Sequence, residues 1–304
     1  MPPPADTTGR RRFTPEETAG LTFGVSGFLI WGLTPLYFKA LGPLPAVEIT
    51  AHRFVWSLVF MTIVMTAGRQ WPAVARAIAD RRVIAILLVT ALLIGVNWWV
   101  FIHAVVVDRI VAASIGYFMN PVVSVLLGFV ILRERLSAFQ WVAVALASAG
   151  VLTQVVAYGT VPWITLVLAF TFATYGLIRK TAPVSASSGL LIETALLFPV
   201  AFGILAWFEF EGSGAFGSRG LEFAALLAFA GVATGLPLLL YAAGAKRIKL
   251  ATMGLLQYIA PSGNLLIAVW VFDEPFTGVE ALTFGFIWLA LIIYTVEIWR
   301  TRIV

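Results

Sequence analysis

Apolar runs of about twenty residues, parted by short polar or proline-rich stretches, recur along the whole chain and limit its fold more than any motif does. An α-helix needs about that length to cross a hydrocarbon core of roughly 30 Å. Backbone in contact with lipid must close its own hydrogen bonds, so each run is committed to helix. The strands of a membrane barrel are about half as long and alternate in polarity, which these runs do not. Charged residues make up only 12% of the chain and hydrophobic ones 61%. A soluble domain carries about 25% charged residues. The expected fold class is therefore an all-α membrane protein.

The runs predict ten spans, at 19–40, 45–67, 83–107, 110–132, 138–157, 162–180, 187–208, 221–244, 250–272 and 278–299. An even number returns both termini to one side. With that threading, one face collects sixteen Lys and Arg residues, from Arg10, Arg11 and Arg12 to Arg300 and Arg302, while the other holds Lys39, Arg109 and Arg219. Excess Lys and Arg in short loops marks the cytoplasmic face, so both termini are expected in the cytoplasm of a multi-pass inner (plasma) membrane protein. The net charge of +5 is then a matter of loops facing anionic lipid, with no nucleic-acid partner implied. Residues 1–18 are expected as a disordered cytoplasmic tail and 300–304 as a second tail. The first span is too long for a signal-peptide core and is taken as uncleaved. The loop 68–82, with four arginines and Trp71-Pro72, is expected to lie at the lipid surface as an amphipathic connector. The acidic, glycine-rich loop from Glu209 to Glu222 is expected as the most flexible segment on the other face.

Two stretches share one plan. Pro121 precedes Glu134 by thirteen residues, and in the second half of the chain Pro261 precedes Glu274 by the same interval. The chain thus reads as two related halves, 19–157 and 162–299. Five spans per half is an odd number, so the second half enters the membrane from the opposite side. Inverted repeats whose helices are interrupted at matching positions are a pattern of secondary transporters, with the site near mid-membrane between the halves. Pro35, Pro121, Pro237 and Pro261 are the expected hinges or helix breaks, because proline removes a backbone donor and crowds the preceding turn.

Several polar stretches inside the spans also resemble a known family. These are Trp31-Gly32-Leu33-Thr34-Pro35, Glu48-Ile49 with His52-Arg53, Asn97-Trp98, Gly116-Tyr117-Phe118-Met119-Asn120-Pro121, Tyr175-Gly176-Leu177 with Arg179-Lys180, Ile192-Glu193-Thr194, and Gln257-Tyr258-Ile259 with Pro261. Together they resemble the RarD branch of the EamA-type transporters, within the drug/metabolite transporter superfamily. Glu134-Arg135 and Glu274-Pro275 resemble the turn signature of the EamA repeat. The resemblance runs from about residue 20 to 299 and implies a ten-helix carrier of two inverted EamA repeats enclosing the substrate path. RarD proteins are associated by name with chloramphenicol sensitivity, and no defined substrate comes with the family.

Ionisable groups inside a membrane default to a functional hypothesis. Glu193 lies roughly 10 Å into its helix at 1.5 Å per residue, and is expected either to couple transport or bind a substrate amine, or to be a structural glutamate, protonated or paired with an arginine. Arg53, next to His52, is expected to provide a fixed positive charge for a carboxylate or polar group; the alternatives are snorkelling to the interface and an ion pair with Glu48. Glu48 itself suits the helix dipole in its first turn. Trp31, Trp98, Tyr117, Tyr175, Tyr241 and Tyr258 are candidate cavity walls with polar handles. Asn97, Asn120 and Gln257 either reach a ligand or bond between helices. His103 reads as a packed residue.

No cysteine is present, and two histidines leave no zinc constellation. No metal or cofactor is expected. Arg179-Lys180-Thr181 lacks the glycine loop of a Walker A sequence, so ATP hydrolysis is not the drive. No catalytic set stands in the spans, and an enzyme is not expected. The leading reading is a secondary carrier that exports a small polar or amphipathic metabolite, amino-acid-like or drug-like, by alternating access with protons as a candidate coupling ion. An importer or exchanger, and a membrane scaffold or sensor without transport, are the alternatives.

Overall fold

The computed structural model describes residues 14–133, 135–248 and 250–303, and every regular element among them is helical. The first half contains α1 (Pro15–Ala40), α2 (Ala46–Ala67), the short α3 (Trp71–Ala79), α4 (Arg81–Val106), α5 (Ile110–Leu132) and α6 (Ala138–Tyr158). The second contains α7 (Trp163–Thr181), α8 (Ala186–Phe210), α9 (Ala215–Ser218), α10 (Leu221–Ala228), α11 (Ala230–Ala245), α12 (Leu250–Leu256), α13 (Ile259–Trp270) and α14 (Gly278–Ile303).

Local chemistry sets several boundaries. The first helix opens at Pro15, earlier than the apolar run begins, because Thr14 and Glu17 form a capping box: Glu17 N–H donates to Thr14 Oγ1 and Thr14 N–H to Glu17 Oε2. Ser137 and Gln140 do the same for α6. At the other terminus α14 continues to Ile303, through most of the stretch expected as a tail. Residues 1–13, Glu134, Lys249 and Val304 lie outside the described residues. The connector at 71–79 is helical, with Val74 and Ala77 buried and Trp71 and Ile78 exposed. The loop expected to be the most flexible holds the helical turn α9, with Gly217 N–H donating to Glu209 Oε1.

Among the described residues nine helical stretches are long and apolar enough to cross a membrane, with Leu221–Ala245 and Thr252–Trp270 each counting as one. The nineteen-residue α7 is the remaining expected span and is not among the nine. Thr165, Thr171 and Thr174, with Arg179 and Lys180 at its end, dilute its apolar character.

At three of the four expected hinges or breaks the helix is not interrupted. Helices α1, α5 and α11 run continuously through Pro35, Pro121 and Pro237. Neighbouring helices can tolerate such prolines by satisfying the freed backbone groups. Only Pro261 matches an interruption, at Gln257 and Tyr258 between α12 and α13. Gln257 is four residues before Pro261, where the proline ring meets the carbonyl of a continuous helix. The other interruption is a single residue at Phe229.

The strongest helix pairings follow one rule. Helix α2 pairs with α8 and α6 with α14, while α1 packs on α11 and α13 just as α7 packs on α4 and α5. Exchanging each helix for its counterpart in the other half leaves this pattern unchanged. Close approach depends on small residues, as membrane interfaces require. A Cβ on Gly32 would meet Ala260 O at 3.3 Å, and one on Gly116 would meet Thr165 O at 2.8 Å.

Contacts between loops gather the Lys39, Asp108, Tyr158 and Thr277 regions at one end of the bundle. Lys39 Nζ is 2.5 Å from Asp108 Oδ1, and Tyr158 OH donates to Glu280. At the same end Ile110 and Val111 N–H donate to the Glu274 carboxylate at 2.7 and 2.8 Å.

Candidate functional site

The central pair of helices, α2 and α8, carries Arg53 and Glu193 at equivalent places in the two halves. Both are buried, at 5% and 0% exposure. They form no ion pair with each other; each sits in its own nest of polar and aromatic groups.

The Arg53 nest draws on both halves of the chain. Its Nε donates to Thr234 Oγ1 of α11 at 2.8 Å. The guanidinium carbon lies 3.9 Å from the centroid of Trp98 on α4 and 5.6 Å from that of Phe38 on α1. The phenols of Tyr117 and Tyr37 are near enough to interact with it electrostatically. Burial excludes snorkelling. The alternative pairing with Glu48 does not form either: Glu48, in the first turn of α2 as expected, has its Oε1 accept from Ala215 N–H of α9 at 2.8 Å. Among the described residues Arg53 has no carboxylate partner. A cation–π contact is worth about 2 kcal/mol when desolvated. Removing a charge from water costs several kcal/mol. Trp98 and one hydroxyl therefore leave the charge under-compensated.

Glu193 is held differently. Thr90 Oγ1 donates to its Oε1 at 2.6 Å, Tyr175 OH to its Oε2 at 3.3 Å, and Arg179 Nε stands 3.6 Å from Oε1. The last distance is an ion pair but not a hydrogen bond. The structure thus gives Glu193 the arginine partner weighed as its alternative. Arg179 also donates to Ser185 O, and its buried Nη1 has no partner among the described residues.

A line of side chains joins the two nests. Tyr117 OH donates to Asn97 Oδ1 at 3.0 Å, and Asn97 Nδ2 donates to Leu168 O and Thr171 Oγ1. The Phe172 ring lies 5.8 Å from Tyr117 and 6.2 Å from Tyr175. Asn97 is spent on interhelical bonds. His52, beside Arg53, is buried against the Phe216 ring, and neither ring nitrogen has a partner among the described residues.

The remaining candidates stand apart from these nests. Trp31 and Tyr241 cluster with Phe28. Tyr258 stacks on Phe118, in a packed group with Phe284 and Trp288. Gln257 lies at the α12–α13 break, and Asn120 is buried with its Oδ1 unpartnered among the described residues. His103 is packed between Trp99 and Trp163. A separate groove of about 610 Å³ lies between α2, α3, α4 and α8, lined by Leu58, Trp71 and Leu196 among others. It is apolar and includes neither Arg53 nor Glu193. Sequence reasoning did not single out Thr90, Thr234, Thr171 or Phe38, because each acquires its role only through a partner on another helix.

This arrangement is a membrane-buried polar seam, and comparison with known proteins says which kind. Residues 18–155 match the EamA-like transporter family. The chain is 44% identical over 278 residues to an uncharacterised transporter of Vibrio cholerae, covering 91% of this chain and 92% of that one. It is 42% identical over 278 residues to protein RarD of Escherichia coli, covering 91% and 94%. The chain belongs to the RarD group of the EamA-like transporter family. A solved crystal structure with 17% identity superposes with a TM-score of 0.60 over 92% of this chain and 98% of its own, and shares the fold. Membership of a RarD-type transporter family makes this a multi-pass membrane protein of a transporter lineage.

Proposed function

We propose that this RarD-type protein is a secondary active carrier of the inner membrane, exporting a small amphipathic metabolite by alternating access of two inverted five-helix repeats. The halves are 19–157 and 162–299, ten spans in all, with both termini cytoplasmic. The observation that carries this reading is the placement of Arg53 and Glu193 at equivalent positions of the paired helices α2 and α8. A scaffold has no need of two buried charges at the seam between its halves, whereas a carrier binds its cargo there. The half-for-half exchange rule of the helix packing and the uneven Lys/Arg distribution support the inverted arrangement. Helix α7 would cross as the tenth span through its pairing with α4 and α5.

Two roles follow for the nests. Arg53 faces the cargo, and Glu193, which shares its charge with Arg179, exchanges a proton with the path to the arginine-rich end. Efflux from proteoliposomes tests the reading, with a panel of amino acids, amphipathic drugs and amphipathic carboxylates, with and without an imposed pH gradient. The expected result is movement of one class, with a pH response that Glu193→Gln abolishes while downhill exchange persists. A mutant that keeps the full pH response would remove the proton role from Glu193. Well-folded protein that moves no member of the panel in either gradient would count against the carrier.

A further inference from the structure

The geometry points to an apolar monocarboxylate as the cargo held at Arg53, an inference that rests on the carrier reading and narrows it. Arg53 is 5% exposed and has no acid partner among the described residues. Its Nε is taken by Thr234, and the Trp98 ring lies 3.9 Å from the guanidinium carbon. Among the described residues the terminal nitrogens bond to no protein group, and they are not sealed away as buried, unpartnered atoms. That leaves the edge of the guanidinium fork that a planar carboxylate engages with two parallel hydrogen bonds.

The surroundings decide what the carboxylate is attached to. Tyr37 OH donates to Leu226 O at 2.8 Å and Tyr117 OH to Asn97 Oδ1, so both phenols have committed their protons elsewhere. With Phe38 and Trp98 they supply aromatic surface around one cation. One guanidinium alone would leave a phosphate dianion with excess charge. No carboxylate among the described residues lies within ion-pair distance of it. An ammonium group on the same ligand would therefore find no anion there, and Glu193 is already held by Arg179, Thr90 and Tyr175.

Isothermal titration of the full-length protein in detergent micelles tests this with 3-phenylpropionate, its amide, and phenylalanine. Losing a charge-assisted bidentate contact costs on the order of tenfold or more in affinity. The wild type is expected to bind 3-phenylpropionate at least about tenfold more tightly than either of the other two. In Arg53→Gln the preference for acid over amide should fall to about one. Arg53→Lys keeps the charge but lacks the planar fork, and should show an intermediate preference; it decides the matter if the glutamine variant does not fold. Absence of 3-phenylpropionate binding, equal binding of acid and amide, or a preference that survives in both variants would overturn the proposal. Phenylalanine binding as tightly as 3-phenylpropionate would overturn the exclusion of a zwitterion. Counterflow of 3-phenylpropionate separates the two readings. Binding without flux would sink the carrier and leave the carboxylate site, while flux of other solutes with no acid preference would sink the site alone.

Discussion

At the scale of single residues, the two buried charges differ in how they are compensated, and the difference is testable. Glu193 depends on Arg179, which is 12% exposed at its side chain. Taking away one member of a buried pair leaves the other uncompensated and costs about 3–5 kcal/mol. At 3.6 Å, with Thr90 and Tyr175 also donating, the lower end of that range applies. Arg179→Gln is thus expected to lose roughly 3 kcal/mol of stability, read as a lowered thermal unfolding midpoint in detergent. Adding Glu193→Gln to it should restore most of the loss, since no charge is then stranded. A double variant as unstable as the single one would mean that Arg179 acts through packing. Both charges were legible in the sequence as ionisable residues inside apolar runs. Their partners were not, because Thr90, Thr234 and Arg179 are ordinary threonines and an ordinary helix-end arginine until the bundle forms.

At the scale of elements, Glu274 replaces a cap that the chain does not supply locally. Helix α5 has Arg109 at its N-cap without a side-chain cap bond, and its first N–H groups would otherwise be orphans. Glu274, in the loop before α14, accepts from both Ile110 and Val111. Burial, with Asp108 adding to it, nonetheless pushes the Glu274 carboxyl above its ordinary range against these two donors and Lys39. The folded chain therefore keeps the proton over a window in which the unfolded chain has lost it. The resulting stabilisation is complete below the ordinary carboxylate value of 4.5 and is lost as pH rises through the raised one. Glu274→Gln cannot titrate, so the unfolding midpoint of the wild type minus that of the variant should fall as pH is raised from 4 upward, whichever of the two is the more stable at pH 4. A difference that stays constant or rises would remove Glu274 as the titrating group. The repeated proline-to-glutamate spacing had already marked this residue in the sequence, though not what it touches. Helix existence was legible almost everywhere, since length and hydropathy fix it. Proline was a poorer guide: only Pro261 coincides with a break, because whether a helix tolerates proline depends on the neighbours that satisfy its freed carbonyl.

At the scale of the whole molecule, the proposed inverted arrangement makes a prediction that no single half could make. Tyr158, at the end of α6, bonds to Thr277 and Glu280 at the start of α14, so the paired helices run antiparallel. Ser137 caps the opposite end of α6, with the whole helix between it and Gly159. At 1.5 Å per residue that is roughly 30 Å, the thickness of a hydrocarbon core. Ser137 and Thr277 hold matching places in the two halves, yet stand at opposite ends of the bundle. The chain has no cysteine to remove first. Single cysteines at Ser137 and Thr277 should therefore react with an impermeant maleimide from opposite sides of intact cells. Thr277 should label from outside, and Ser137 only after the membrane is opened, because the proposed threading puts the Lys- and Arg-rich face on Ser137's side. Labelling of both from one side would sink the inverted repeat. Labelling on opposite sides but in the reverse sense would keep the repeat and reverse the orientation, and with it the side from which the proposed cargo would reach Arg53.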